Sequence, residues 1–267
     1  MSEPTADGFL GGRLTVLQLS GGGHRSGLDA VLLGASAPAG SAATVVDLGA
    51  GVGVAGLVAA ARCPASRVVL VEIDPAAADL ARRSIALNAA EVGDRVDVVV
   101  ADVTAPAAKL EASGLRADIA DHVILNPPFH PADRTRPSPD AGRAAAHRIA
   151  PDDLDRWLRA AARLCRPRGR ITVIYRADEL PRLIAAIATR FGGLVALPVH
   201  PRADAPAHRV VVTARPQSRA PFVLLPPLVL HRPDGGFTPA ADAILRGGEL
   251  PLGQEPLPRA YPDAISD

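Results

Sequence analysis

Two short stretches of the chain carry residue types that could do chemistry. The first is Asn126-Pro127-Pro128-Phe129, which follows the apolar β-branched run His122–Leu125. Two consecutive prolines fix their own φ angles and keep the residues before them extended. The resulting ledge donates no hydrogen bond from its prolines and presents carbonyl oxygens. The Asn126 amide oxygen and the Pro127 carbonyl could both accept from an exocyclic –NH2. Such an amine is a poor nucleophile when its lone pair is delocalised into a ring. Two acceptors on its hydrogens favour a pyramidal, attacking nitrogen, an effect that grows in the transition state. Phe129 offers a stacking face to a base taken out of its helix or loop. This chemistry needs no strong base, so His130 is read as exposed or hydrogen-bonded and not as catalytic. The competing reading of the tetrapeptide is a rigid turn.

The second stretch is Asp47-Leu48-Gly49-Ala50-Gly51-Val52-Gly53-Val54-Ala55-Gly56, with Glu72 closing the next β-branched run. Glycines let a backbone approach a ligand, and a following helix points its N–H groups at the loop. A carboxylate at Glu72 is placed to accept both hydroxyls of a ribose. Gly51-x-Gly53-x-x-Gly56 matches the dinucleotide fingerprint literally, with an acid about 20 residues on. That match alone supports an NAD-dependent oxidoreductase, but no hydride-transfer constellation accompanies it. Two features favour S-adenosylmethionine. Asp47 sits just before the first glycine, where its charge suits an ammonium and repels a pyrophosphate. Gly49 also starts the series early, giving D-x-G-x-G-x-G. Asp102, in Ala101-Asp102-Val103, is placed to accept from an adenine amino group, or else caps a turn.

These residues need a scaffold. Val45–Leu48, Val68–Ile73, Val96–Val100, His122–Leu125 and Ile171–Tyr175 read as strands. Val54–Arg62, Pro75–Ala90 and Asp152–Cys165 between them have helical spacing. Strands alternating with such helices mean crossover units and a parallel sheet. A helix over 178–191 and strands over 194–200 and 209–214 follow, suggesting an antiparallel hairpin that closes the sheet. The expectation is an α/β, Rossmann-like core over 44–215. It carries a cap segment over 1–43, with a short helix at Asp29–Ala37, and a proline-rich appendage over 216–267.

Composition bounds the rest. The chain has 267 residues, 48% of them apolar but only 3% aromatic, so its core is built from Ala, Val and Leu. Trp157 and Tyr175 are read as packing residues. Two cysteines, Cys63 and Cys165, exclude a disulfide scaffold and a Cys-rich zinc site, and no metal is expected. Met1–Gly12 lacks a basic start followed by an apolar run, and the most apolar stretch, Thr44–Ala61, is broken by Asp47 and glycines. A cytoplasmic chain without a membrane span is expected, a monomer by preference. Net charge is +1, yet residues 130–176 hold eleven arginines against five aspartates. That excess fits either a phosphate-contacting surface or a solvated helix face.

Asp47–Gly53, Glu72, Asp102 and Asn126–Phe129 together resemble the motifs of class I methyltransferases acting on planar amino groups. Their order, cofactor loop first, is similar to the "small domain" methyltransferases. Gly11-Gly12-Arg13-Leu14 and Ser26–Leu33 resemble the tRNA1(Val) adenine-37 N6-methyltransferases within them. The resemblance spans roughly 9–215. It implies a class I sheet and S-adenosyl-L-methionine held by Gly27, Asp29, Asp47, Gly49, Gly51, Glu72, Asp102, Val103 and Asn126. Gly27 and Asp29 would border the methionine end. Asn126, Pro127 and Phe129 would act on the acceptor, which would be N6 of adenine in tRNA. Guanine N2 in rRNA and glutamine in protein are alternatives within the same chemistry, and a non-catalytic binding module lies outside it. The lysine-rich substrate face common in the subgroup would here have to be arginine. His24 stands where an aromatic is expected.

Overall fold

The computed structural model describes residues 3–18, 27–38, 42–128 and 153–253. His24, Phe129, His130, Arg134 and Arg136 fall outside the described residues. A hairpin of β1 (Thr5–Phe9) and β2 (Leu14–Gln18) comes first, followed by α1 (Leu28–Ala35). Four parallel strands then form half of the sheet: β3 (Thr44–Leu48), β4 (Arg67–Glu72), β5 (Val96–Val100) and β6 (Ala120–Leu125). Their spatial order is β5-β4-β3-β6, continued by β7 (Cys165–Arg176), β9 (Arg209–Pro216) and β8 (Phe191–His200). The sheet is parallel up to β7, and β9 runs antiparallel to both β7 and β8. This is the expected Rossmann-like sheet with an antiparallel hairpin at one side.

Helices cover both faces. On one lie α1, α2 (Val54–Arg62) and α3 (Pro75–Leu87), with the short α4 (Ala89–Val92) after them. On the other lie α5 (Ala107–Ala112), α6 (Asp153–Leu164) and α7 (Leu180–Ala188). Tyr175 is buried in that second core, as a packing residue should be. The α3 start is well specified: Pro75 takes the first helical position and Asp74 caps it, accepting from Ala76 N at 2.9 Å. One continuous helix over 75–90 does not form, because Asn88 breaks it. The Asn88 side chain instead bonds both the N–H and the carbonyl of Thr15, at 2.9 and 2.7 Å, and ties β2 to α3.

Residues 217–253 are joined to the sheet edge. Pro226 and Pro227 split the apolar run Phe222–Leu230 into β10 (Val223–Leu224) and β11 (Leu228–Val229), both parallel to β8. A further helix, α8 (Pro239–Leu245), is capped by Thr238 and packs near α1. Strand β7 is longer than expected, starting at Cys165. The strand expected from sequence begins only at Ile171; in the earlier part, Gly169 fits because a Cβ would meet Asp121 O at 2.8 Å. The register places the ends of β3, β4, β5 and β6 on one edge, with Leu48 beside both Val71 and Leu125, and Glu72 beside Val100. In open α/β sheets that carboxyl edge is where ligands bind.

Candidate active site

The loop leaving β3 is pinned from below. The N–H groups of Gly49 and Ala50 both donate to Val71 O, at 2.8 and 2.9 Å. Gly49 and Gly51 have φ of +69° and +57°, a region that costs a side-chain residue about 1–2 kcal/mol. Their surroundings differ. A Cβ on Gly51 would meet nothing within 4 Å, so its backbone faces open space. A Cβ on Gly49 would lie 2.3 Å from Cη2 of Trp157, whose indole covers the glycine from α6. Trp157, read from sequence as packing alone, thus forms a wall of the glycine loop. Nothing in the pattern of residues near it marks that contact. Gly56 serves close packing, since a Cβ there would meet Leu70 Cδ2 at 2.1 Å.

Glu72 is tied to the same loop. Its Oε2 accepts from Gly51 N at 2.7 Å, and its Oε1 accepts from Ile73 N and Asp74 N, both at 2.8 Å. A carboxylate offers about four acceptor positions. Three are filled here, so one remains on Oε2, room for a single ribose hydroxyl in this arrangement. Ile73 beside it is 61% exposed, an unusual setting for an isoleucine and one that the sequence reading passed over.

Asp47 lies beneath the loop, 2% exposed, with Oδ2 accepting from Gly56 N at 2.9 Å. Burial pushes its carboxyl up to about 7; the Gly56 N–H pulls the other way, and the Glu72 charge adds to the rise. Asp102 follows β5, and its Oδ1 accepts from both the N–H and the hydroxyl of Thr104, at 2.8 and 2.7 Å. It therefore caps a turn and keeps its second oxygen. Val103 next to it is buried.

At the end of β6, the Oδ1 of Asn126 is buried with no hydrogen-bond partner among the described residues, and Pro127 is buried behind it. An unpaired buried acceptor costs about 1–3 kcal/mol, and such groups are rare enough to ask what completes them. At the start of α1, Gly27 O accepts from Ala30 N and Val31 N. Asp29 is paired with Arg209 of β9, Nε to Oδ2 at 2.8 Å. That pair ties the N-terminal segment to the strand edge.

The arginine excess looks different in space. Arg159, Arg163, Arg166 and Arg176 pair with Asp155, Glu111, Asp121 and Asp178 respectively. Much of the charge is locally balanced on the described surface.

A sequence profile described as "Methyltransferase small domain" matches residues 28–185. The chain belongs to this family. A protein from Porphyromonas gingivalis named tRNA1(Val) (adenine(37)-N6)-methyltransferase is 32% identical over 229 residues, covering 80% of this chain and 84% of its own. One of the same name from Shewanella amazonensis is 41% identical over 101 residues, covering 38% of this chain and 40% of its own. Among solved structures, a predicted O-methyltransferase from Agrobacterium tumefaciens superposes with a TM-score of 0.71 at 34% identity, covering 83% of this chain and 97% of that one. The family assignment explains why glycine loop, buried Asp47 and Asn126 converge on one edge. A methyltransferase must hold a donor and an acceptor side by side.

Proposed function

We propose that this methyltransferase uses S-adenosylmethionine to methylate an exocyclic amino nitrogen, namely N6 of adenine in tRNA. The observation that carries the reading is the buried Oδ1 of Asn126 at the end of β6, which has no partner among the described residues. That atom wants a donor, and an –NH2 group on a planar ring supplies one. The Porphyromonas gingivalis relative is named for adenine 37 of tRNA1(Val), and its likeness over four fifths of the chain supports the same substrate class.

S-adenosylmethionine supplies an electrophilic methyl on its sulfonium. The residues fit such a donor. Open backbone at Gly51 leaves room for it, and the free acceptor position on Glu72 suits a ribose hydroxyl. The exposed face of Ile73 suits the adenine ring, with the second oxygen of Asp102 and the Val103 turn beside it. Asp47, ionised, suits the ammonium, and Gly27 and Asp29 stand at the methionine side. On the acceptor, Asn126 Oδ1 takes one amino hydrogen and the Pro127 carbonyl takes the other. Both bonds tighten as the nitrogen becomes cationic, which is where transition-state binding accelerates a reaction. The extra proton then leaves to water. Phe129 is assigned the stacking face for the flipped base.

No helix among the described residues is long and apolar enough to cross a membrane. A tRNA substrate places the enzyme in the cytoplasm, and we take a monomer as the working unit. The test is incubation with methyl-labelled S-adenosylmethionine and separated tRNA, rRNA and protein fractions, followed by nucleoside mass spectrometry. Label recovered as N6-methyladenosine in tRNA is expected. Label in guanine of rRNA or in glutamine of protein would replace the substrate named here.

A further inference from the structure

A second recess opens on the face of the sheet that carries α5 and α6. It measures about 340 Å3 and begins at Val103, where the chain leaves the β5 edge. Val103, Pro106 and Leu110 make its floor, and Arg156, Arg159 and Arg163 of α6 line its other side. None of the described residues that line it is acidic. Spacings of three and four put the three guanidiniums on one stripe of the helix, about 10 Å long at 1.5 Å per residue.

These arginines have partners: Arg159 and Arg163 sit in close ion pairs with exposed carboxylates, and only Arg156 is loosely held. Arg156 reaches Asp153 only at 3.9 Å, and Asp155 is shared between Arg159 and Arg190. Arg163 pairs with the exposed Glu111 and also donates to Leu115 O at 2.8 Å. Four guanidiniums thus share three carboxylates. Exposed pairs of this kind contribute about 0–1 kcal/mol each, so an incoming anion displaces them at small cost. An apolar floor bounded by guanidiniums suits a ligand that is flat and apolar on one side and anionic on the other. A nucleotide has that character, because Arg planes stack on bases and fork onto phosphates.

Resting on the reading of an RNA substrate, we propose that this recess holds a nucleotide of the substrate RNA other than the methylated one. Its base lies over Pro106 and Leu110, beyond the Val103 turn given to the cofactor, and its flanking phosphates meet Arg156 and Arg159. The recess starts at Val103 on the cofactor edge and Asn126 is not among its lining residues, so it grips the strand away from the reacting base. It supplies affinity and register, not chemistry.

Two variants test this without touching the candidate active site. Arg156→Gln/Arg159→Gln removes two charges from the stripe. Ala107→Glu adds a carboxylate at an exposed position on the rim, in the first turn of α5, where an acid suits the helix and folding is spared. Binding of an in vitro tRNA transcript is measured across salt, with S-adenosylhomocysteine binding followed in parallel. For the double variant, RNA affinity should fall on the order of tenfold near 0.1 M salt, and the log–log slope should lose about 0.7–0.9 per phosphate contact. Ala107→Glu should weaken RNA binding as well, and neither variant should change S-adenosylhomocysteine binding. Wild-type methylation of tRNA with unchanged affinity and slope in both variants overturns the recess while leaving the function intact. Poly-glutamate displacing tRNA from wild type but not from the double variant, at matched charge, reassigns the recess to an acidic polypeptide and also overturns it. Failure of wild type to bind or methylate any RNA overturns both readings together.

Discussion

The outer edge of the Trp157 indole lies against Gly49: a methyl group on that glycine would stand 2.3 Å from Cη2 and 2.8 Å from Cζ3. Helix α6 therefore braces the glycine loop from the opposite face to the helix that follows the loop. The first glycine of the series has two separate reasons to be glycine, its φ of +69° and this contact.

Gly49→Ala separates those reasons. Its strained φ should cost about 1–2 kcal/mol, and the overlap with Trp157 about 1–3 kcal/mol more. Phenylalanine is shorter at the clashing edge, so adding Trp157→Phe should recover the second part and leave the first. Thermal melts of the single and double variants, without ligand, give the two numbers. Equal stability of Gly49→Ala in both backgrounds would show that the loop moves away from the indole.

Glu72 is engaged before any ligand arrives. Its three backbone bonds to Gly51, Ile73 and Asp74 hold the loop and the β4 exit together. Glu72→Gln turns an amide N–H toward one of those donors, and an unsatisfied pair there should cost about 1–3 kcal/mol. The ligand-free melting temperature should drop, and S-adenosylmethionine affinity should drop further. A variant that melts like wild type yet fails to bind would assign Glu72 to the ribose alone.

How much of this was legible depends on what leaves a trace in a sequence. The crossovers were legible because β-branched runs and Ala-rich helical spacing alternate from Thr44 to Tyr175. The carboxyl-edge meeting of Asp47, Glu72, Asp102 and Asn126 follows from that alternation. The donors on Glu72 were not legible, since main-chain N–H groups have no residue type. Asp102 was: Thr104 two positions on is the usual partner of an Asx turn, and it takes Oδ1. The β1–β2 hairpin escaped because Thr5–Phe9 alternates poorly, and its partner strand is held by a side chain, Asn88, far along the chain. The six residues of α5 match no element expected from sequence, and the recess beneath them depends on α5 and α6 meeting in space.

Asp47 gives a pH signature. Its folded value of about 7 stands above the usual unfolded value near 3.9. The protonated form is favoured by the fold, so this contribution to stability is complete below pH about 4 and is lost as pH rises through about 7. Asp47→Asn keeps an acceptor for Gly56 N and carries no charge, so it should melt higher than wild type above pH 7. Affinity for the cofactor ammonium should do the opposite in wild type, rising between pH 6 and 8 as the carboxylate ionises, and staying flat in Asp47→Asn. Emission from Trp157, the sole tryptophan, offers a direct readout of that binding. A wild-type affinity that is flat across this window would remove Asp47 from the ammonium site.

The strongest expectation concerns Asn126. Its Oδ1 is buried with no partner among the described residues, so it is already desolvated when an acceptor base arrives and need not reorganise. Asn126→Ala removes that acceptor and also the penalty of burying it, so the fold should be as stable as wild type or slightly more so. Cofactor affinity should change little. The methyl-transfer rate should fall on the order of 10²–10³-fold, the usual loss for one group that bonds the transition state more strongly than the ground state. Single-turnover rates with saturating tRNA isolate this step from substrate binding. Asn126→Asp keeps an oxygen in place but carries a charge that attracts the developing cation, and it should recover part of the lost rate. A raised KM with an unchanged single-turnover rate would show that Asn126 merely shapes the ledge on which the base rests.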